Sequence, residues 1–149
     1  MLADMTTSKQ IEDFFDHYAL RFNEVLQGKS HDVKVTTQDF ADCFIAANSS
    51  GVICGKNDRE FEAVLTKGYE FYRNIGITSM DIISKEITML DDFHAMSRIS
   101  WRSSYSRKKS MGTMEFDVIY LIQIQGIEIK IFAYITGDEQ KIFKEKGLI

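Results

Sequence analysis

Between residues 8 and 27 apolar side chains recur at helical spacing. Ile11, Phe14, Phe15, Tyr18, Phe22, Val25 and Leu26 share one face, and Gly28 ends the run. A polar connection, KSHDVKV, leads to a second expected helix at about 37–47 with a stripe of Phe40, Cys43, Phe44 and Ala47. Thr36 and Asp39 resemble a capping pair for it. SSGVICGK reads as a turn and a short strand, and Asn57 with Glu60 caps a third helix. That helix carries Phe61, Val64, Leu65, Tyr69, Tyr72 and Ile75 before Gly76.

From residue 78 the apolar period drops from about 3.6 residues to about 2. Strands are expected near 78–90, 94–106, 114–125 and 127–136, with turns at Asp91-Asp92, Lys109 to Gly112, and Gly126. DEQKIFKEKG closes the chain as a short helix. Helices first and an antiparallel meander afterwards make an α+β layout rather than a parallel α/β one. No repeat, low-complexity tract or linker divides residues 1–149, so one domain is expected.

A sheet with one wet face should alternate cleanly between apolar and polar residues. Strand 114–125 does not: Phe116, Val118, Tyr120 and Ile122 stand on one face, Asp117, Ile119 and Leu121 on the other. The last strand sets Phe132 and Tyr134 opposite Ile131, Ala133 and Ile135. One face meets the helices. The other needs a cover, and a second copy of the chain, forming a two-fold homodimer through the outer sheet face, is the economical one.

The charge balance of 18 Lys and Arg against 22 Asp and Glu, net −4, speaks against a nucleic-acid partner. Arg107-Lys108-Lys109 is too short a basic cluster to change that and reads as a hairpin tip. Two cysteines make no disulfide framework; Cys43 and Cys54 read as small buried hydrophobes. MLADMTTSKQ has no apolar signal-peptide core, and the apolar region 116–135 is broken by Asp117, Gln123, Gln125, Glu128 and Lys130, which excludes a membrane span. A cytoplasmic setting is the expectation.

FADCFIAANSSGVICGKNDREFEAVL, residues 40–65, and the ending ITGDEQKIFKEKGLI carry a resemblance to the nuclear transport factor 2 superfamily. It includes ketosteroid isomerase, scytalone dehydratase and the SnoaL-like polyketide cyclases, and this chain looks most like uncharacterised SnoaL-like bacterial proteins. The resemblance implies a cone-shaped α+β fold: three N-terminal helices on a curved antiparallel sheet, a short C-terminal helix and an inner cavity. It covers nearly the whole chain, but its motifs report fold better than activity.

Against the isomerase pattern, Asp117 falls where an oxyanion-donating acid would stand. Flanked by Phe116, Val118, Ile119 and Leu121, its charged form would be disfavoured by desolvation. The general base falls on Asn48, which cannot take a proton from carbon. Arg21 replaces the oxyanion-hole tyrosine, with Tyr18 one helical turn earlier. In MSRISWRSSY, Arg98, Ser100 and Arg102 share one face of a strand, and Ile99, Trp101 and Tyr105 the other. The resemblance turns the arginines inward, where they would suit a carboxylate; strand periodicity alone leaves both orientations open. The steps Arg98-x-Ser100 and Arg102-x-Ser104 leave an epoxide-hydrolase triad incomplete. His17, His31 and His94 do not form the paired histidines of a dehydratase or a metal site.

The expected function is a homodimer that binds a small apolar or carboxylated molecule in the cone. Its expected contacts are Phe15, Tyr18, Phe22, Asn48, Arg98, Arg102 and Ile119. The alternatives are a cofactor-independent isomerase, dehydratase or cyclase using Asp117 as acid/base, and a protein-interaction module with a filled cavity. No cofactor, metal, nucleic acid or membrane is implied.

Overall fold

The four strands expected after residue 78 form where the period changes, and two more join them from the N-terminal half. The computed structural model describes residues 2–29 and 33–149, with side chains from Thr7 onward. The elements run α1 (Leu2–Leu26), α2 (Val33–Thr37), β1 (Phe40–Asn48), β2 (Gly51–Lys56), α3 (Arg59–Asn74), β3 (Ile77–Met89), β4 (His94–Arg107), β5 (Ser110–Gln125), β6 (Glu128–Thr136) and α4 (Glu139–Glu145). One six-stranded sheet has the order β2-β1-β6-β5-β4-β3. It is mixed rather than purely antiparallel, because β1 runs parallel to β6.

The helix expected at 37–47 is the main correction: Phe40–Asn48 is a strand. Phe40 and Phe44 are four residues apart, a spacing that fits a helical stripe and one face of a strand equally well. The small residues between them do not discriminate. Long-range pairing decides it, through a hairpin with β2 and a ladder with β6 that matches Ala46 to Tyr134. The aromatic rings of Phe40, Phe44 and Phe61 then meet at 4.6–5.4 Å. Phe44 lies so close over β2 that a Cβ on Gly55 would come within 2.6 Å of its ring. Cys43 and Cys54 are consequently exposed on the hairpin rather than buried on a helix.

Asp58, not Asn57, caps α3, its carboxylate accepting from the Phe61 N–H at 3.1 Å. Asn57 instead donates to the carbonyls of Thr37 and Phe40 at 2.7 and 3.1 Å, fastening the α2–β1 junction to the start of α3. Asp39 does not cap a helix with Thr36 but forms an ion pair with Arg21.

Helix α1 lies on the inner face of the sheet, with Ile11, Phe15, Ala19 and Leu26 buried. Its register on β3 is fixed by Asn23, whose side chain accepts from the Met80 N–H at 2.7 Å and donates to the Met80 carbonyl at 2.8 Å. Strand β4 alternates with Ala95, Ser97, Ile99, Trp101, Ser103 and Tyr105 buried beneath the helices. A bulge in β6 pairs Leu121 with Ala133 but Ile122 with Ile131, which leaves Phe132 as the extra residue. Ile129, Ile131 and Tyr134 thus share the inner face, although simple alternation would separate Ile131 from Tyr134. Among the described residues, no helix is long and apolar enough to cross a membrane.

Candidate functional site

Trp101 on β4, Phe116, Val118 and Tyr120 on β5, and Tyr134 on β6 form the floor of a cavity of about 620 Å³ on the inner face. Tyr18 and Phe22 of α1 and Leu65, Tyr69 and Tyr72 of α3 form its walls. The β1–β2 turn and Val64 rim it, and Val52 and Ile53 there are 68% and 69% exposed. Gly68 of α3 also lines the space, and a Cβ built on it meets nothing within 4 Å. The volume is that of a site for a small organic molecule, and the lining is mostly apolar and aromatic.

Among the described residues, the one Asp, Glu, Lys, Arg or His on this lining is Glu139. It stands in the first turn of α4, which Phe143 anchors against Tyr72 and Phe71 at ring separations of 6.1 and 6.2 Å. Leu148, buried beyond α4, closes that end, its N–H donating to the Phe143 carbonyl at 2.9 Å and its own carbonyl accepting from Arg107. The Tyr72 hydroxyl donates to Glu139 Oε2 at 2.9 Å. No protein donor among the described residues reaches the other carboxylate oxygen, Oε1. Burial pushes the Glu139 carboxyl above the ordinary carboxylate range, and the Tyr72 hydrogen bond only partly offsets it.

The tyrosines around it are shifted upward for the same reason. Burial raises Tyr72, and the neighbouring Glu139 charge adds to it. Tyr120 is raised by burial against the opposing influence of its hydrogen-bonding neighbours Trp101 and Tyr18. Tyr18 and Tyr134 are raised by burial too. All of these hydroxyls are therefore neutral donors at physiological pH. Tyr69, beside Thr36 at the wall, is raised likewise.

Of the residues expected at the site, Tyr18, Phe22 and Asn48 do line the cavity. Asn48 stands at its mouth, where Oδ1 accepts from the Ser50 N–H at 2.8 Å and holds the β1–β2 turn. Phe15 is fully buried behind the wall, packed on Tyr120 at 5.0 Å. Arg21 pairs with Asp39 outside the lining.

Asp117, Arg98, Arg102 and Ile119 are corrections: all four are on the opposite face of the sheet. Trp101 and Ile99 take the inner face of β4 because large apolar groups gain most from burial there, and alternation then turns the arginines outward. Asp117 is 46% exposed, accepts from the Ser100 hydroxyl at 2.7 Å and pairs with Arg98 at 3.5 Å. Arg102 reaches Glu115 at 2.8 Å alongside. The dry surroundings invoked for Asp117 are absent.

His94 sits at the end of β4 against Asp91 at 2.8 Å, and His17 is exposed on α1. His31 lies outside the described residues. No group of three or more potential metal ligands occurs among the described residues. Glu139 itself was missed because a Glu beside Asp138 at a helix start reads as ordinary capping chemistry. Only the fold brings it under Tyr72.

A family model described as NTF2-like protein (DUF6841) matches residues 8–139, and the chain belongs to that family. Among solved structures it is similar to an NTF2-like protein of unknown function from Shewanella oneidensis MR-1, with 18% identity and a TM-score of 0.62, covering 89% of this chain and 99% of that one. An NTF2-like protein with a cystatin-like fold from Novosphingobium aromaticivorans matches at 10% identity and a TM-score of 0.70, covering 97% and 91%. A ketosteroid isomerase-like protein from Erwinia carotovora matches at 15% identity and a TM-score of 0.62, covering 85% and 92%. At these identities the likeness concerns the fold alone. No curated protein matches the chain.

Proposed function

We propose that this NTF2-like protein binds a small, mainly apolar molecule in the cavity between α1, α3 and the sheet. The observation that carries the reading is the open, aromatic-lined space of about 620 Å³, which no side chain fills. An interaction module of the kind considered from the sequence would have had that space plugged. The carboxylate ligand considered there loses its support, because Arg98 and Arg102 are outside and the one carboxylate inside would repel an anion. The acid/base role considered for Asp117 likewise loses support, because Asp117 is half exposed in an outer-face depression and paired with Arg98.

A second copy covering the outer face belongs to the same proposal. Two ladder rows support it: Ala47, Ile135 and Ile119, and Ile45, Ala133 and Leu121, run side by side across β1, β6 and β5. Ile45 and Ile135 on these rows are exposed. A cytoplasmic setting goes with this reading.

Trp101 is the only tryptophan and lines the cavity, so its fluorescence reports occupancy directly. A neutral aromatic alcohol such as 4-phenylbutanol is expected to change that emission saturably in the natural protein. Gly68→Phe, which points a ring into the open space at Gly68, is expected to abolish the change while thermal stability holds or rises. Saturable binding that persists in the filled variant would remove the cavity from the reading.

A further inference from the structure

Glu139 is a partly buried carboxylate that lines the cavity and has no cation of its own. Among the described residues no ion pair reaches it, and Tyr72 is its one side-chain hydrogen-bond partner. Asp39, comparably withdrawn from water, is treated differently and faces the Arg21 guanidinium. A carboxylate in an apolar cavity is stabilised either by a proton or by a positive group that arrives with a ligand.

The groups that face Glu139 are of a single kind. Tyr72 comes from α3, and Tyr120 and Tyr134 come from the sheet; all are neutral at working pH, and each responds to the Glu139 charge. Trp101 and Phe116 widen the same aromatic lining. Ring faces attract a cation within about 6 Å of their centroids, and a desolvated site strengthens that attraction. One carboxylate without a cation in an aromatic-lined cavity is complementary to an ammonium group.

We propose that the ligand of this cavity is an amine: a protonated nitrogen that donates to Glu139 Oε1 and stands among the tyrosine and tryptophan rings, carried on an apolar frame. This deepens the binding reading above and rests on it. The ligand nitrogen supplies the cation that the protein withholds, and Tyr72 orients the carboxylate to receive it. An alcohol of the same shape satisfies Oε1 without charge, and a carboxylic acid meets repulsion.

The test uses three probes of one frame, 4-phenylbutylamine, 4-phenylbutanol and 4-phenylbutanoate, titrated calorimetrically and by Trp101 emission into the full chain and into Glu139→Gln. At pH 7.5 the amine is expected to bind about tenfold tighter than the alcohol, the margin between charge-assisted and neutral hydrogen bonds. The carboxylate is expected not to bind. In Glu139→Gln the amine should lose that advantage while the alcohol keeps its affinity.

Affinity for the amine should also rise with pH through the Glu139 titration in the natural protein and stay flat in the variant. Equal affinities for amine and alcohol, or an amine preference that survives Glu139→Gln, would overturn the amine assignment and leave the binding reading standing. No saturable binding by either neutral or cationic probe would overturn both.

Discussion

Asp117 and Glu139 are separated by one sheet, and that sheet divides their chemistry. Asp117 stands on the outer face with water, a serine hydroxyl and Arg98 around it. Glu139 looks into an aromatic-lined cavity with one tyrosine hydroxyl and, among the described residues, no cation beside it. The sequence gives Asp117 the more suggestive neighbours, since Phe116, Val118, Ile119 and Leu121 flank it. In a strand, however, the adjacent Phe116 and Val118 point the other way, and the neighbours on its own face and across the ladder are what the acid feels. For Asp117 those neighbours across the ladder are Ser100 and, one step along, Arg98 and Arg102. Glu139, in a stretch of ordinary charged residues, is the acid that the fold turns into the cavity.

A third acid sharpens the contrast and carries the largest expected effect. Asp39 is withdrawn from water almost as much as Glu139, but Arg21 neutralises it. Burial raises its carboxyl above the ordinary value, and Arg21 offsets only part of that. Arg21→Met should therefore cost about 3 kcal/mol at neutral pH, by leaving a partly buried carboxylate without its cation. Chemical denaturation at pH 7 and pH 4 checks it: the loss should shrink at the lower pH, where protonation of Asp39 becomes easy. A loss that is equal at both pH values would mean that Arg21 contributes packing rather than charge.

For Glu139 burial acts in the same direction with no cation beside it among the described residues. Its carboxyl is raised in the folded chain above the ordinary value of 4.5, so the folded state holds the proton more tightly than the unfolded state. By linkage, this group's contribution to stability is fully present below that ordinary value. It falls as pH rises through the folded value, and above that it is constant. Glu139→Gln should remove this decline, so the variant gains on the natural protein as pH rises from 4 and then keeps a fixed lead. Thermal melts across pH 4–8 measure it, with Asp117→Asn as the comparison. A lead already present at pH 4 would place the effect elsewhere than in ionisation.

How far these environments could be read from the sequence follows from what each pattern encodes. The meander was legible because alternation over more than ten residues has no helical reading, as β4 illustrates. The α1 stripe was legible for the converse reason. Phe40–Asn48 was not, because its two phenylalanines satisfy both periods and its partner strand lies some ninety residues away in the sequence. The inner face of β4 was undetermined for the same kind of reason: period separates Trp101 from Arg102 but says nothing of which side holds the helices. The resemblance conveyed the cone and its cavity correctly. What it suggested of Asp117 and the arginines failed on orientation, a property that the sheet as a whole decides.

The smallest effect is expected on the outer face, where the comparison is easiest to break. The Arg98–Asp117 pair is close to half exposed on both sides, and pairs of that kind contribute between nothing and about 1 kcal/mol. A double-mutant cycle with Arg98→Ala and Asp117→Asn should give a coupling within that range, reduced further by salt, and neither change should alter probe binding at Trp101. Ile135→Arg tests the neighbouring half of the face. If a second copy covers Ile119, Leu121, Ala133 and Ile135, that substitution should convert a sedimenting dimer into a monomer, whereas Asp117→Asn should leave the dimer intact. The two halves of one face would then behave as differently as the two faces of the sheet. A coupling well above 1 kcal/mol for the exposed pair would mean that the dimer buries the charged half as well. Asp117 would then be an interface residue rather than a solvated one.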